Sequence, residues 1–294
     1  MKAISLHSIV PVRTEAREGA EQETQMLFGE LCEIVESNQP QWYRVRLETD
    51  GAEGWVDAKM IAPIGGKDYT AYKKAYKAAT AMVAMPMAYA VSENNGQTIP
   101  LTAGTRLTKY CITSPQPSPQ GREIKIGRFE VLGVGFRIDP GMVIEQPLEL
   151  NEQSLMQGVR FFLNVPYLWG GKNAMGMDCS GFTQVVMSLF GKHLPRNASQ
   201  QVKCGRMVSS LEKAKAGDLV FFDHDDGKIS HVGIILQVTK GQSTKFQKAT
   251  TVVHCSGRVK VEKIDETGIF SVERADKEHP QGVYTHHLVS IRRV

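Results

Sequence analysis

Short apolar stretches broken by turns fill the first sixty residues of the chain. "WYRVRLE" alternates apolar and polar positions, and the "DG" pair that follows it is typical of a β-hairpin turn. "LCEIVES" and "EGWVDAKMI" add further strand-like runs. The pattern predicts a small antiparallel barrel over residues 1–65, closed by Gly65 and Gly66.

The spacing of apolar residues then becomes helical. Tyr69, Tyr72 and Tyr76 recur among alanines and lysines, which predicts a linking helix within residues 66–85. Residues 86–150 return to strand-like runs such as "REIKIGRFEVLGVGFRI". The proline-rich "SPQPSPQG" between these runs indicates an exposed loop, because proline cannot donate to a sheet. Residues 86–150 are therefore interpreted as a second small β domain.

Residues 151–294 have a different pattern. A helical segment at 153–164 is followed by the glycine-rich "YLWGGKNAMG", then by a helix that ends near Gly191, and by a short helix near Ser199. The apolar face of the longer helix consists of Phe182, Val185, Val186, Leu189 and Phe190. The strands "DLVFF", "HVGIILQV", "TTVVHCS", "RVKVEKI" and "YTHHLVSIRRV" come afterwards. Helices before an antiparallel sheet predict an α+β domain.

The composition narrows the classes of function. A chain of 294 residues with 41% hydrophobic and 22% charged residues is typical of a globular protein with two or three domains. The net charge of +4 is spread over the chain, so we expect no nucleic-acid partner. No apolar run approaches the roughly 20 residues of a membrane span. We expect a monomer that is cytoplasmic as the chain stands, or periplasmic or exported if a signal peptide was removed.

Cys179 is the candidate nucleophile among five scattered cysteines, whose spacing predicts neither a disulfide framework nor a metal site. It stands at about the first position of the predicted helix, after Asp178 as a plausible cap. The unpaired N–H groups and the dipole of a helix N-terminus favour a thiolate. The alternative is a small apolar residue in the core, the usual place of free cysteines.

Two histidines can complete a nucleophilic site. His231 begins one apolar strand and His254 lies near the end of the next, so antiparallel pairing could bring the imidazoles together as base and orienting group. Five of the other six histidines have polar or terminal neighbours, and we expect them at the surface: His193, His224, His279, His286 and His287.

Five ordered motifs carry a resemblance to a known family. "YLWGGKNAMGMDCSGF", "LPRNASQQ", "AGDLVFF", "ISHVGIIL" and "VVHCSG" resemble, in order and approximate spacing, the NlpC-type cell-wall cysteine endopeptidases, a papain-like family. This resemblance covers residues 153–294. The preceding half resembles the bacterial SH3-like barrels of the γ-D-glutamyl-L-diamino acid endopeptidases, the dipeptidyl-peptidase VI type, with "EQETQMLFGE" and "DGAEGWV" as pieces of the first barrel. The implied fold is an α+β papain-like domain after two SH3-like domains.

The resemblance implies hydrolysis of the amide between γ-D-glutamate and a diamino acid in peptidoglycan stem peptides, without metal or organic cofactor. Cys179 would attack the γ-carbonyl, His231 would move the proton, and His254 would hold the tautomer of His231. The backbone N–H of Cys179 would bind the oxyanion.

Substrate contacts are also implied by the resemblance. Tyr167 and Trp169 of the family's "YxWGG" pattern would line the cleft, although aromatics beside two glycines could instead pack the loop. Asp178 and Ser180 would contact the stem peptide, with a plain helix cap as the other explanation of Asp178.

Arg196 and Ser199 could reach the α-carboxylate of D-glutamate; a surface charge and a helix cap are the alternatives. Glu21 matches the acidic residue that pairs with a free L-alanine amine in relatives, or is an ordinary surface glutamate.

Two positions depart from the family pattern. Ala52 stands where relatives commonly carry a tyrosine that follows "DG", which puts recognition of the amine partly in question. "TKGQSTKFQKAT" lengthens the hairpin between His231 and His254, a change that pairing of the strands can accommodate.

Two other functions fit the same motifs. The chain could be a peptidoglycan-peptide binding protein with an inert papain-like domain, or an amidase or acyltransferase that acts on a different amide.

Overall fold

The chain folds into two compact units. A computed structural model describes residues 1–39, 41–113, 116–117, 123–223, 227–237 and 250–294. Unit 1 comprises Met1–Leu148 and Trp169–Ala174, and unit 2 comprises Glu149–Leu168 and Met175–Val294. Most of the proline-rich loop, nearly all of the hairpin extension, and His224 lie outside the described residues.

The first part of unit 1 is a seven-stranded antiparallel sheet. Its strands are β1 (Lys2–Ser5), β2 (Ile9–Arg13), β3 (Gln22–Leu27), β4 (Leu31–Gln39), β5 (Trp42–Leu47), β6 (Glu53–Asp57) and β7 (Ile61–Ile64), in the order β3-β2-β6-β5-β4-β1-β7. A single 3₁₀ turn, Ala58–Met60, precedes β7. The predicted turn between β5 and β6 is present, and Gly51 adopts the left-handed φ of 76° that it needs. Apolar residues of β2, β4 and β5 pack inside as one core.

A helix and a second sheet complete unit 1. Helix α1 spans Gly66–Ala78, and Tyr72 and Tyr76 pack from it into a core shared with the second sheet. The remaining elements are β8 (Met82–Val83), β9 (Met87–Ser92), β10 (Thr98–Thr102), β11 (Cys111–Ile112), β12 (Gln116–Pro117), β13 (Glu123–Ile124), β14 (Gly127–Val131), β15 (Val134–Ile138), the 3₁₀ turn Pro140–Met142, β16 (Val143–Ile144) and β17 (Lys172–Asn173). The main sheet has the order β10-β9-β15-β14-β11.

Unit 2 begins with helices and continues as a barrel. Its elements are α2 (Glu152–Val159), β18 (Gly176–Met177), α3 (Cys179–Ser188), α4 (Ala198–Gln201), β19 (Arg206–Met207), the 3₁₀ turn Leu211–Lys213, β20 (Leu219–Asp223), β21 (His231–Gln237), β22 (Thr251–Ser256), β23 (Arg258–Ile264), β24 (Gly268–Ser271) and β25 (Val283–Arg293). The sheet has the order β19-β25-β20-β21-β22-β23-β24. An additional pairing of β24 with β25 closes six of these strands into a barrel.

The strands of unit 2 are buried on both faces where α3 packs against β21 and β22. Val220, Phe222, Ile235 and Val252 belong to the core inside the barrel. This double burial explains why "DLVFF" and "HVGIIL" read as continuous apolar runs rather than as alternating ones. The predicted α+β class is confirmed, whereas the short strands β19 and β24 were not expected from the sequence.

Candidate active site

Cys179 is the first residue of α3. Asp178 is the N-cap, and its carboxylate accepts a hydrogen bond from the backbone N–H of Gly181 at 2.7 Å. The thiol is buried, with 7% of the residue exposed, and the backbone N–H groups of Ser180 and Val232 face the sulfur. Because Val232 directly follows His231, this contact places the sulfur beside the start of β21.

The resting thiol is a weaker acid than the helix start alone predicts. Burial, followed by the neighbouring Asp178 carboxylate, raises the pKa of Cys179 to about 11. The two backbone N–H groups and the guanidinium of Arg196 act in the opposite direction without offsetting the loss of solvent. A thiolate at neutral pH therefore requires a base that takes the proton.

The structure brings His231 and His254 together. Their strands are antiparallel neighbours, in which Gly233 lies opposite His254. His231 Nε2 and His254 Nδ1 are 2.8 Å apart, and the rings are nearly perpendicular. Both rings are buried, His254 completely. One imidazole thus orients the other through a single ring nitrogen.

Gly233 makes room for this pair. A Cβ atom at Gly233 would lie 2.6 Å from Cγ2 of Val252 and 3.1 Å from Cβ of His254. Even an alanine at this position would push against the strand that carries His254.

A carboxylate that the sequence pattern does not predict extends the histidine pair. Glu262 Oε2 lies 2.9 Å from His254 Nε2 and 3.0 Å from Nζ of Lys260. Alternation in "RVKVEKI" suggests that valines face inward, yet Val261 is 40% exposed while the side chain of Glu262 is only 7% exposed. Burial alone would raise the pKa of Glu262, but hydrogen bonds from His254 and Lys260 hold it at about 2.

His286 is a correction to the expected surface histidines. It is only 8% exposed, and its ring centroid lies 4.3 Å from that of His231. The physical reason is the barrel closure, which pairs His286 with Ile269 of the barrel core. The histidine doublet in "YTHHLV" was the available signal. His193 and His279 are exposed and His287 is half-buried.

Asp178, Ser180 and Arg196 form a buried polar cluster. The guanidinium of Arg196 donates to both carboxylate oxygens of Asp178, at 3.0 and 2.5 Å, and to Oγ of Ser180 at 2.8 Å. Arg196 is 1% exposed, so the alternative of a surface charge is wrong. The cluster fixes the loop that presents the thiol, since the same Asp178 carboxylate caps α3.

Two further predicted contacts are partly open to solvent. Tyr167 is 36% exposed; burial, then the proximity of Cys179 and Asp178, raises the pKa of its hydroxyl. Ser199 is exposed within α4, where Asn197 rather than Ser199 is the N-cap. The alternative reading of Ser199 as a helix cap is therefore wrong.

The other predicted contacts belong to unit 1. Trp169 is 57% exposed, which argues against simple packing of its loop, and its carbonyl accepts a hydrogen bond from Nε2 of Gln22 at 3.1 Å. Glu21 is exposed directly before β3, and Ala52 packs against the first core.

A buried ion pair anchors the "GGKNA" segment within unit 1. Lys172 Nζ lies 3.2 Å from Oε1 of Glu30, and each side chain is 7% exposed. The side-chain amide of Gln25 accepts hydrogen bonds from the backbone N–H of Lys172 and from Nδ2 of Asn173.

The described residues include no group of three or more His, Cys, Asp and Glu side chains arranged to hold a metal ion. All five cysteines are free thiols. Within the described part of the chain, no helix is both long and apolar enough to cross a lipid bilayer.

The geometry defines a class of enzyme. A buried cysteine at a helix N-terminus, beside a histidine held by a second polar group on an antiparallel barrel, is the arrangement of a papain-like cysteine peptidase. Residues 164–273 match the model of the NlpC/P60 family, and residues 12–61 match the bacterial dipeptidyl-peptidase Sh3 domain. The chain belongs to the NlpC/P60 family of cysteine peptidases.

One curated relative agrees with this assignment over most of its length. The γ-D-glutamyl-L-lysine dipeptidyl-peptidase of Bacillus subtilis (strain 168) is 30% identical over 221 residues, which cover 72% of this chain and 68% of that protein.

Two solved structures resemble the whole chain. An NlpC/P60 family protein from Bacillus cereus ATCC 10987 has a TM-score of 0.72 at 18% identity and covers 100% of this chain and 99% of its own. An NlpC/P60 endopeptidase from Photobacterium damselae subsp. piscicida has a TM-score of 0.66 at 16% identity. The match covers 99% of this chain and 72% of that protein. At these identities the likeness concerns the fold alone.

Proposed function

We propose that the protein is an endopeptidase that hydrolyses the γ-D-glutamyl–diamino acid amide of peptidoglycan stem peptides, with preference for a free N-terminal L-alanine. Residues 151–294 are the catalytic domain in this assignment. Residues 1–65 and 86–150 are the two SH3-like domains, joined through residues 66–85.

The arrangement of Cys179, His231 and His254 is the observation that carries the proposal. The sulfur faces the backbone N–H of Val232, and His231 is held by His254 at 2.8 Å, so nucleophile, base and orienting group lie in one buried cluster. The name of the Bacillus subtilis relative supports the choice of a γ-D-glutamyl bond.

The reaction begins with proton transfer from Cys179 to Nδ1 of His231 as the sulfur attacks the γ-carbonyl carbon. The backbone N–H of Cys179 donates to the oxyanion, because a helix N-terminus presents this group already oriented. The C–N bond then breaks, and His231 gives its proton to the leaving amine. His231 next takes a proton from water as the water oxygen attacks the thioester carbon. The C–S bond then breaks, His231 returns the proton to the sulfur of Cys179, and the γ-carboxylic acid leaves and ionises.

Binding of the stem peptide is assigned to the residues around the thiol. The hydroxyl of Tyr167 is influenced by the nearby Cys179 and Asp178, and this proximity supports its assignment as a contact to the peptide beside the scissile bond. Because the guanidinium of Arg196 is already bonded to Asp178, we assign it to hold Asp178 and Ser180 in place. Ser199 and Trp169 are exposed candidates for contacts with D-glutamate and the cleft.

Recognition of the amine is assigned to Glu21 of the first SH3-like domain. Its exposed carboxylate is available to a cationic group. Since Ala52 cannot supply a tyrosine hydroxyl, the preference for a free amine rests on Glu21.

The test is hydrolysis of L-Ala-γ-D-Glu-diaminopimelate by the purified full chain, with products identified by mass spectrometry. We expect L-Ala-γ-D-Glu and free diaminopimelate from the wild type and no turnover by Cys179→Ala. Cys111→Ala is the matched control, because Cys111 is an exposed thiol outside unit 2. An intact tripeptide with the wild type would refute the proposal and support the binding protein, whereas cleavage of a different amide would support the amidase.

A second comparison tests the role of the amine. We expect the N-acetylated tripeptide to be cleaved much more slowly by the wild type, with the difference reduced in Glu21→Gln. Glu18→Gln is the control, since Glu18 is an exposed glutamate of the same sheet region. Equal cleavage of the two peptides by the wild type would remove Glu21 from the site. The same peptides with lysine at the third position identify the preferred diamino acid.

A further inference from the structure

The carboxylate of Glu262 lies at the end of a chain of hydrogen bonds that leads to His231. We propose that Glu262 is a positioning residue that fixes the tautomers of both imidazoles, so that His231 presents a proton-accepting Nδ1 to Cys179. This inference rests on the proposed function for its kinetic consequence, but the tautomers themselves can be measured without a substrate.

The direction of the hydrogen bonds between Glu262, His254 and His231 follows from which atoms can donate. A carboxylate without a proton only accepts, so the contact of 2.9 Å to Glu262 requires a proton on Nε2 of His254. In the neutral ring, Nδ1 of His254 then carries the lone pair. The contact of 2.8 Å to His231 Nε2 therefore requires a proton on that nitrogen, which leaves the lone pair of neutral His231 on Nδ1.

The charges around these hydrogen-bonded groups support the protonation states. Lys260 of β23 forms an ion pair with Glu262 at 3.0 Å and also reaches Glu273 at 3.4 Å, so a cation stabilises the carboxylate. His254 is fully buried, and burial lowers its pKa despite the adjacent Glu262. A neutral ring beside an ionised carboxylate is the arrangement that the tautomer argument needs.

Loss of the acceptor has a defined consequence. Without the Glu262 carboxylate, the buried N–H at His254 Nε2 loses its partner, which favours the other tautomer. A proton on His254 Nδ1 would face the proton on His231 Nε2. Neutral His231 would then have to carry its proton on Nδ1. That nitrogen could no longer accept the proton of the Cys179 thiol.

The kinetic test distinguishes loss of the hydrogen-bond acceptor for His254 from loss of the negative charge at position 262. Glu262→Gln keeps an oxygen that can accept from His254, so we expect kcat within about 10-fold of the wild type. Glu262→Met removes the acceptor, and we expect kcat to fall by at least about 10²-fold and at most about 10⁴-fold, the latter being the loss that a wrong histidine tautomer causes in a Ser-His-Asp triad, with KM little changed. Glu273→Gln is the matched control: it also removes a carboxylate from Lys260 but is not bonded to His254, and kcat should be unchanged.

The spectroscopic test needs no peptide. In the full chain with ¹⁵N-labelled histidine, assigned through single histidine replacements, we expect protons on Nε2 of both His231 and His254 in the wild type. Glu262→Met should shift His231 toward the Nδ1–H form, while Glu262→Gln should not. A proton on His231 Nδ1 in the wild type, or an unchanged tautomer and kcat in Glu262→Met, would overturn the inference.

If Glu262→Met does not fold, a proton on Nδ1 of wild-type His231, or a shift of Glu262→Gln to that tautomer, would still overturn the inference. Failure of the proposed function is recognised separately, because a wild type that cleaves none of the peptides can still show the two Nε2–H tautomers.

Discussion

The two units each contain a seven-stranded antiparallel sheet, and one ion pair from each sheet shows how different their exposure to solvent can be. In the sheet of unit 1, Arg46 and Glu53 pair across β5 and β6 at 2.7 Å with 52% and 32% of their side chains exposed. In the sheet of unit 2, Lys260 and Glu262 pair at 3.0 Å with only 10% and 7% exposed. The same architecture therefore carries a solvated ion pair in one case and a desolvated one in the other.

The difference in solvation changes what an ion pair contributes to the free energy of folding. An exposed ion pair contributes about 0–1 kcal/mol, whereas burial of charge costs several kcal/mol unless other groups compensate. The buried pair in unit 2 belongs to a cluster of titratable groups that includes three histidines. Such desolvated clusters concentrate at sites of chemistry.

The largest expected contrast is between His231→Ala and Arg46→Met. Loss of the base should lower kcat by about 10³-fold or more, while loss of the surface cation in unit 1 should leave kcat unchanged. The substrate-free readout is the rate of alkylation of Cys179 by iodoacetamide. Because burial raises the pKa of the Cys179 thiol, we expect His231→Ala to react more slowly than the wild type at pH 7 and the difference to shrink as the pH rises. Equal rates at pH 7 would show that His231 does not ionise the thiol.

Arg196→Met should give the next largest effect, on stability. The variant leaves the buried Asp178 carboxylate without its bidentate partner, so we expect a loss of about 3–5 kcal/mol in the free energy of unfolding of unit 2. Arg46→Met should change the free energy of unit 1 by less than about 1 kcal/mol. Urea denaturation of the two variants measures both values, and similar losses would erase the distinction between a buried and an exposed ion pair.

Two glycines offer a contrast in which stability and reactivity separate. An alanine Cβ at Gly233 would lie 2.6 Å from Val252, and one at Gly54 of the first sheet would lie 2.6 Å from Val12. Each substitution should therefore cost about 1–3 kcal/mol. Only Gly233→Ala should also slow the alkylation of Cys179, because it displaces His254. If Gly54→Ala slows alkylation equally, the effect comes from general destabilisation.

The smallest expected effect is a fall in stability at low pH that comes from Glu262. The pKa of Glu262 is about 2, lowered from 4.5 by His254 and Lys260 against the effect of burial. Between these values the unfolded chain binds more protons, so stability is full above pH 4.5 and falls as the pH drops toward 2. Glu262→Gln should flatten this part of the curve of unfolding midpoint against pH.

Glu48 of unit 1 provides the matched case for the acid dependence. Its pKa is also about 2, since hydrogen bonds from Lys73, Tyr69 and Lys2 outweigh burial. Its side chain is 21% exposed against 7% for Glu262. We expect added salt to weaken the contribution of Glu48 more than that of Glu262. The reverse order would mean that exposure does not control these two carboxylates.

The local part of the site could be predicted from the sequence. The helix that begins at Cys179, its Asp178 cap, and the strands that carry His231 and His254 all follow from short-range patterns, and the structure contains them. The five ordered motifs extended these patterns to the family.

The remaining groups depend on long-range geometry. His286 becomes buried only because β25 pairs with β24 and closes the barrel. Lys260 and Glu262 occupy positions that alternation assigns to solvent, and the ion pair with Glu262 and the bond to His254 make their burial tolerable. Arg196 likewise looks like a surface charge until α4 and α3 pack together. In each case the partner lies on another element whose position the local pattern does not encode.

The barrel closure by β25 also sets an order of events during synthesis. β20 leaves the ribosome well before β25, so one edge of β20 and one edge of β24 stay unpaired until β25 arrives. Unpaired edges promote association with other chains, which makes this interval the vulnerable period of folding. The same strand delivers His286 to the face of His231, so protection of the edges and completion of the histidine cluster occur together. We therefore expect the nascent chain to be most prone to aggregate before the histidine cluster is complete.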